Sequence, residues 1–157
     1  MAYWAKPKIE KVYEALTAVA DGRIKITGDG TAVCASSSGK KFYHLKFDSD
    51  SLAMTSNDNM AYYQKSLSYP MMALLIVTKK VDCPEELPKY FAGIKWKEIN
   101  TRFKNNYKLS VDSVLEELKS KNVDVEDIKA LVETLFEKIK SMQISILGNS
   151  EKPPQGY

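Results

Sequence analysis

The stretch that decides the fold is Leu52-Ala53-Met54-Thr55-Ser56-Asn57-Asp58-Asn59-Met60. Before it the hydrophobic pattern has period two, and after it the period lengthens toward 3.6. Thr55 ends the last alternating run. Asn57, Asp58 and Asn59 are residues that turn the chain and accept from free backbone N–H groups, so they suit a helix start near Met60.

Upstream, Arg23-Ile24-Lys25-Ile26-Thr27 alternates as a half-buried strand does, with Ile24 and Ile26 inward. Gly28-Asp29-Gly30 supplies a turn, and residues 31–35 return. Ser36-Ser37-Ser38-Gly39-Lys40 is the next turn. Residues 41–47 form a third strand with Tyr43, Leu45 and Phe47 on one face, and residues 52–55 a short fourth. Connections this short make neighbours antiparallel, so the four strands read as a meander. Ahead of them Pro7, Ile9, Val12, Tyr13, Leu16 and Val19 predict a helix, stopped by Asp21-Gly22.

Downstream, helices are predicted over residues 60–67, from Pro70 through Val77, in an interrupted piece between Pro84 and Pro88, and over 95–105. Ser110 is expected to cap the next, with Leu109 and Val114 as its hydrophobic staple. Asp124 caps the last, whose Val125, Ile128, Val132, Leu135, Ile139 and Met142 form a short heptad seam. The reading is an α+β fold: an N-terminal helix, a four-strand antiparallel β-meander, then a bundle of about five helices ending in a helical hairpin. Residues 1–147 make one domain, with helix and meander over 1–56 and the helical part over 57–147. Residues 148–157 read as a flexible tail.

Bulk properties bound the function. The chain has 157 residues, 44% hydrophobic and 27% charged, with a net charge of +3. That length buries roughly two-thirds of the unfolded chain's surface. The longest apolar run, 71–77, is too short for a bilayer that needs about 20 residues. With no secretory h-region at the start, a cytoplasmic protein without membrane contact is expected. Cys34 and Cys83 are too few for a disulfide framework and read as reduced thiols.

Three sites compete. Residues 89–108 carry six cations against Glu98, a local net of +5, interleaved with Tyr90, Phe91, Trp96, Phe103 and Tyr107. Lys95, Lys97, Arg102, Lys104 and Lys108 would contact phosphates, with Lys25, His44 and Lys46 on the outer sheet face as a second surface. A helical wheel gathers Trp96, Ile99, Phe103 and Tyr107 on one stripe, so these aromatics are assigned to the core. The second site is the polar cluster Ser56, Asn57, Asp58, Asn59 and Gln64 at the strand–helix junction, suited to a small ligand. The third is the seam over residues 125–142 as a protein–protein surface.

The leading expectation is a non-enzymatic binding module for nucleic acid or another anionic partner, monomeric or a weak homodimer. The small-ligand site or enzyme is the alternative. No catalytic residue, cofactor or metal site is assigned. HExxH, CxxC and GxSxG are absent, and Ser36-Ser37-Ser38-Gly39-Lys40-Lys41 lacks the early glycine of a phosphate loop.

Overall fold

The computed structural model describes residues 2–155. Residue 1, and residues 156 and 157 at the end of the predicted tail, lie outside the described residues. Helix α1 (Ile9–Ala20) leads into strands β1 (Ile24–Gly28), β2 (Thr31–Ala35), β3 (Phe42–Phe47) and β4 (Met54–Ser56). They form one antiparallel sheet in the order β1-β2-β3-β4, as the meander reading expects. A π-helical turn (Met60–Gln64) and α2 (Tyr69–Val77) follow, then a 3-10 turn (Pro88–Phe91), α3 (Trp96–Arg102), α4 (Tyr107–Ser120) and α5 (Val125–Ser141). The fold is α+β.

Helix α2 is apolar on every side and buried from Pro70 to Ile76, the pattern of a helix with no solvent face. It packs on β1, β3 and β4 and against α1, and α1 in turn contacts α4, α5 and the 3-10 turn. So α1 runs through the middle of the molecule and is buried along Lys11–Ala18. The heptad positions Ile128, Val132, Leu135 and Ile139 are buried in this same core.

Both chain ends close the β4 edge. Met54 bridges Ile146, Tyr3 bridges Ser145, and the Trp4 indole N–H donates to Met54 O at 2.9 Å. An unpaired edge would offer its N–H groups to another chain. Within the predicted tail, Ser150 Oγ lies 2.9 Å from Thr55 Oγ1, and Pro153 is buried.

Several local predictions need correction. Ile26 is 50% exposed: β1 is the sheet's other edge, and its burial ends after Ile24. Arg23 does not point outward with Lys25. Its guanidinium donates to Ala35 O at 2.7 Å and lies 5.8 Å from the Tyr69 ring. The helix predicted over 60–67 is one π-helical turn. Lys65 adopts φ 53°, Ala5 N donates to Lys65 O and Leu67 N to Ala5 O, and Ser66 is drawn into an isolated bridge with Ala5. Helix α3 stops at Arg102, because Lys104 and Asn105 take left-handed φ of 53° and 62°. Tyr107, beyond that turn, therefore does not share one helical stripe with Trp96, whereas Phe103 still donates its N–H to Ile99 O at the helix end. Asn106, not Ser110, caps α4, accepting from Leu109 N at 3.3 Å. The helix begins a turn earlier than predicted, and Leu109 is 46% exposed rather than stapled.

Candidate cleft between the sheet end and helix α3

A cleft of about 610 Å³ opens between the end of the sheet and the helical layer, within the size range of small-molecule sites. Four segments wall it. The β2–β3 turn contributes Ser36, Ser37 and Ser38, with Tyr43 from the inner face of β3. The strand–helix junction contributes Asp58, Asn59, Met60, Tyr63 and Gln64, followed by Ser68 and Tyr69 at the start of α2. Helix α1 contributes Lys11 and Glu14. The α3–α4 segment contributes Lys97, Asn100, Thr101, Lys104, Asn105 and Tyr107.

Local chemistry fixes each wall. Asp58 is buried and acts as a hub. Its Oδ2 accepts from Ser56 Oγ at 2.5 Å and Ser68 Oγ at 2.6 Å, and its Oδ1 accepts from Ala61 N at 3.0 Å. One carboxylate thus ties β4, the π-helical turn and the start of α2 together, which charge-assisted bonds do well. Asn57 is taken up by the sheet: its Oδ1 accepts from His44 N at 2.8 Å and its N–H donates to His44 O at 3.2 Å. The serine turn docks on α3 through Ser37 Oγ, which accepts from Lys97 N at 3.1 Å.

The floor holds a buried ion pair. Lys11 Nζ lies 2.8 Å from Glu14 Oε2 and 3.8 Å from the centre of the Tyr107 ring. On α3, Lys97, Asn100 and Thr101 follow the i, i+3, i+4 spacing that keeps residues on one side of a helix, and Lys104 joins the wall from the left-handed turn that follows. Asn100 is 8% exposed, and its Oδ1 is buried without a hydrogen-bond partner. Most buried polar atoms are satisfied, so this acceptor in a cleft wall is unusual.

The structure divides the residues proposed from sequence. Asp58, Asn59 and Gln64 line the cleft, as do Lys97 and Lys104 from the basic segment, so two separate candidates share one concavity. Ser56 and Asn57 are buried behind the wall. Lys95, Arg102 and Lys108 are exposed elsewhere, with Lys108 3.0 Å from Asp112. Lys25, His44 and Lys46 sit on the outer sheet face, opposite the buried Tyr43 and Leu45. In the register Lys25, Val33 and His44 lie side by side.

Sequence reasoning missed Lys11, Glu14 and Asn100. The signal for the first two was present. Ala15 and Ala18 lie on the same side of α1 as Lys11 and Glu14, and small residues there let other helices pack close. Asn100 carried no such signal.

Among the described residues that line the cleft there is no cysteine or histidine. Cys34 is buried, and burial pushes its thiol from 9.0 up to about 12; Arg23 opposes the shift and Asp58 adds to it. A thiol is inert in that state. Burial likewise raises the Tyr69 phenol, with Arg23 acting against it. Both cysteines are free thiols. Among the described residues no group of three or more His, Cys, Asp or Glu side chains could hold a metal ion, and no helix is long and apolar enough to cross a membrane. The cleft lining presents ammonium groups, carboxylates, hydroxyls, amides and aromatic rings.

Residues 4–145 match the family described as uncharacterised conserved protein UCP014422, and the chain belongs to that family. Every residue that lines the cleft falls inside the matched segment. No curated protein and no solved structure matches the chain.

Proposed function

We propose that this chain is a small-ligand-binding protein that takes an anionic molecule in the cleft. The observation that carries this reading is the convergence of Lys97 and Lys104 on a concave, hydroxyl-rich wall that also holds Asp58, Asn59 and Gln64. The lining includes three lysines and two carboxylates. One lysine, Lys11, is matched internally by Glu14, and Asp58 is bonded to two hydroxyls and a backbone N–H. Lys97 on α3 and Lys104 in the turn after it are exposed at the mouth of the cleft. A cleft with one sign of charge at its rim concentrates ligands of the other sign.

Thermal-shift titration with pyrophosphate tests this. Pyrophosphate is expected to raise the melting temperature, as any ligand selective for the folded state does. The Lys97→Ala/Lys104→Ala double variant is expected to fold and lose the shift. An equal shift in that variant would overturn the assignment to the cleft.

A second reading keeps nucleic acid as the partner and uses the outer sheet face. It is favoured by Phe42, 55% exposed, on the same strand face as His44 and Lys46, with Lys25 aligned to His44 through Val33. Aromatic and basic groups displayed on an antiparallel sheet suit single strands. Loss of single-strand binding in Phe42→Ala/Lys46→Glu, with no effect of the α3 double variant, would favour this face.

A further inference from the structure

The α3 wall carries more than charge. Between its two lysines lie Asn100, whose buried Oδ1 has no partner, and Thr101. Tyr63, from another wall, is 68% exposed and meets Tyr62 in a T-shaped contact at a centroid distance of 4.9 Å. The other tyrosines of the lining have less ring to give. Tyr43 is buried, Tyr107 faces the Lys11 ammonium, and Tyr69 lies beside the Arg23 guanidinium.

A ligand complementary to these groups needs three things: an anionic group for Lys97 and Lys104, an N–H donor for Asn100, and a flat ring for Tyr63. We infer that the cleft binds a mononucleotide, its phosphate on Lys97 and Lys104, its base on the Tyr63 ring and a base N–H on Asn100 Oδ1. This rests on the anionic-ligand reading above and adds the ligand's class. Each part has a general physical reason. Lysines hold phosphate as point charges. Aromatic rings stack on any base, because every base presents a π face. An unsatisfied buried acceptor costs free energy that a donor restores, so a site built around one discriminates against ligands that lack the donor.

The test compares inorganic phosphate, ribose 5-phosphate and the four ribonucleoside 5′-monophosphates by calorimetry on the full chain. Nucleotides are expected to bind more tightly than ribose 5-phosphate. Tyr63→Ala is expected to weaken nucleotide binding about tenfold, the usual scale of one stacked base, and to leave ribose 5-phosphate unchanged. Asn100→Leu is expected to weaken the nucleotide without lowering thermal stability, since it removes an unpaired acceptor rather than a bond. A merely structural Asn100 would instead lower stability. Equal affinity for ribose 5-phosphate and nucleotides would overturn the nucleotide assignment and leave the anion site standing. No binding of any phosphate compound would overturn both.

Discussion

Lys11 Nζ sits 2.8 Å from Glu14 Oε2 in the floor of the cleft, and both side chains are about nine-tenths buried. The sequence reading passed over both residues despite the neighbouring Ala15 and Ala18, because an i, i+3 pair on a helix normally lies on its solvated side. Here α1 is central, so the pair is sealed beneath Tyr107. Breaking a buried pair leaves one charge without compensation, and the cost is about 3–5 kcal/mol. Lys11→Met alone is therefore expected to lower the unfolding free energy by an amount on that scale. Lys11→Met/Glu14→Leu, which leaves no lone charge, is expected to recover most of the loss in urea denaturation. A double variant as unstable as the single would contradict this account of the floor.

Asp58 organises the strand–helix junction through three accepted bonds. Asp58→Ala leaves the Ser56 and Ser68 hydroxyls unpaired in a buried site. A loss of roughly 3 kcal/mol is expected from bonds to a charged group, with Asp58→Asn losing less. Unfolding midpoints of the two variants check the order; equal midpoints would argue against the hub.

The β3–β4 loop is held by a lysine at the end of α2. Lys80 Nζ donates to the carbonyls of Asp48, Ser49 and Ser51. Lys80→Met is expected to speed amide hydrogen exchange across residues 48–53 while the sheet core stays protected. Unchanged exchange would show that the loop holds itself.

Stability should fall in alkali. Burial raises Cys34 from 9.0 to about 12, Tyr13 from 10.0 to about 12 and Cys83 from 9.0 to about 11. Each folded value lies above the unfolded one, so the unfolded chain releases its proton first as pH rises. The stabilisation is complete below pH 9 and is lost progressively from there toward pH 12. Denaturant midpoints between pH 7 and 11 should decline above pH 9, and Cys34→Ala should soften the first part of that decline. A flat profile would contradict the burial of these groups.

The architecture was legible where local pattern and tertiary role agree. The meander, α1, α2 and the Asp124 cap of α5, which accepts from Asp127 N at 3.2 Å, all carry period and punctuation that need no distant partner. Legibility failed where a remote contact set the local conformation. The bridge between Ala5 and Ser66 cut short the helix expected after Met60, and the left-handed pair Lys104 and Asn105 ended α3 early. The cleft was half legible. Asp58 and Lys97 were each named, 39 positions apart, for different ligands; nothing in one chain's pattern reports that a serine turn from the sheet would dock on α3 and bring them together.

The most direct test of the cleft is a titration of isotope-labelled protein with pyrophosphate, followed by amide chemical shifts. Perturbations are expected at residues 36–38, 58–64 and 97–105, and they should vanish in Lys97→Glu/Lys104→Glu. Perturbations centred instead on Lys25, His44 and Lys46, or none at any pyrophosphate concentration, would contradict the central claim.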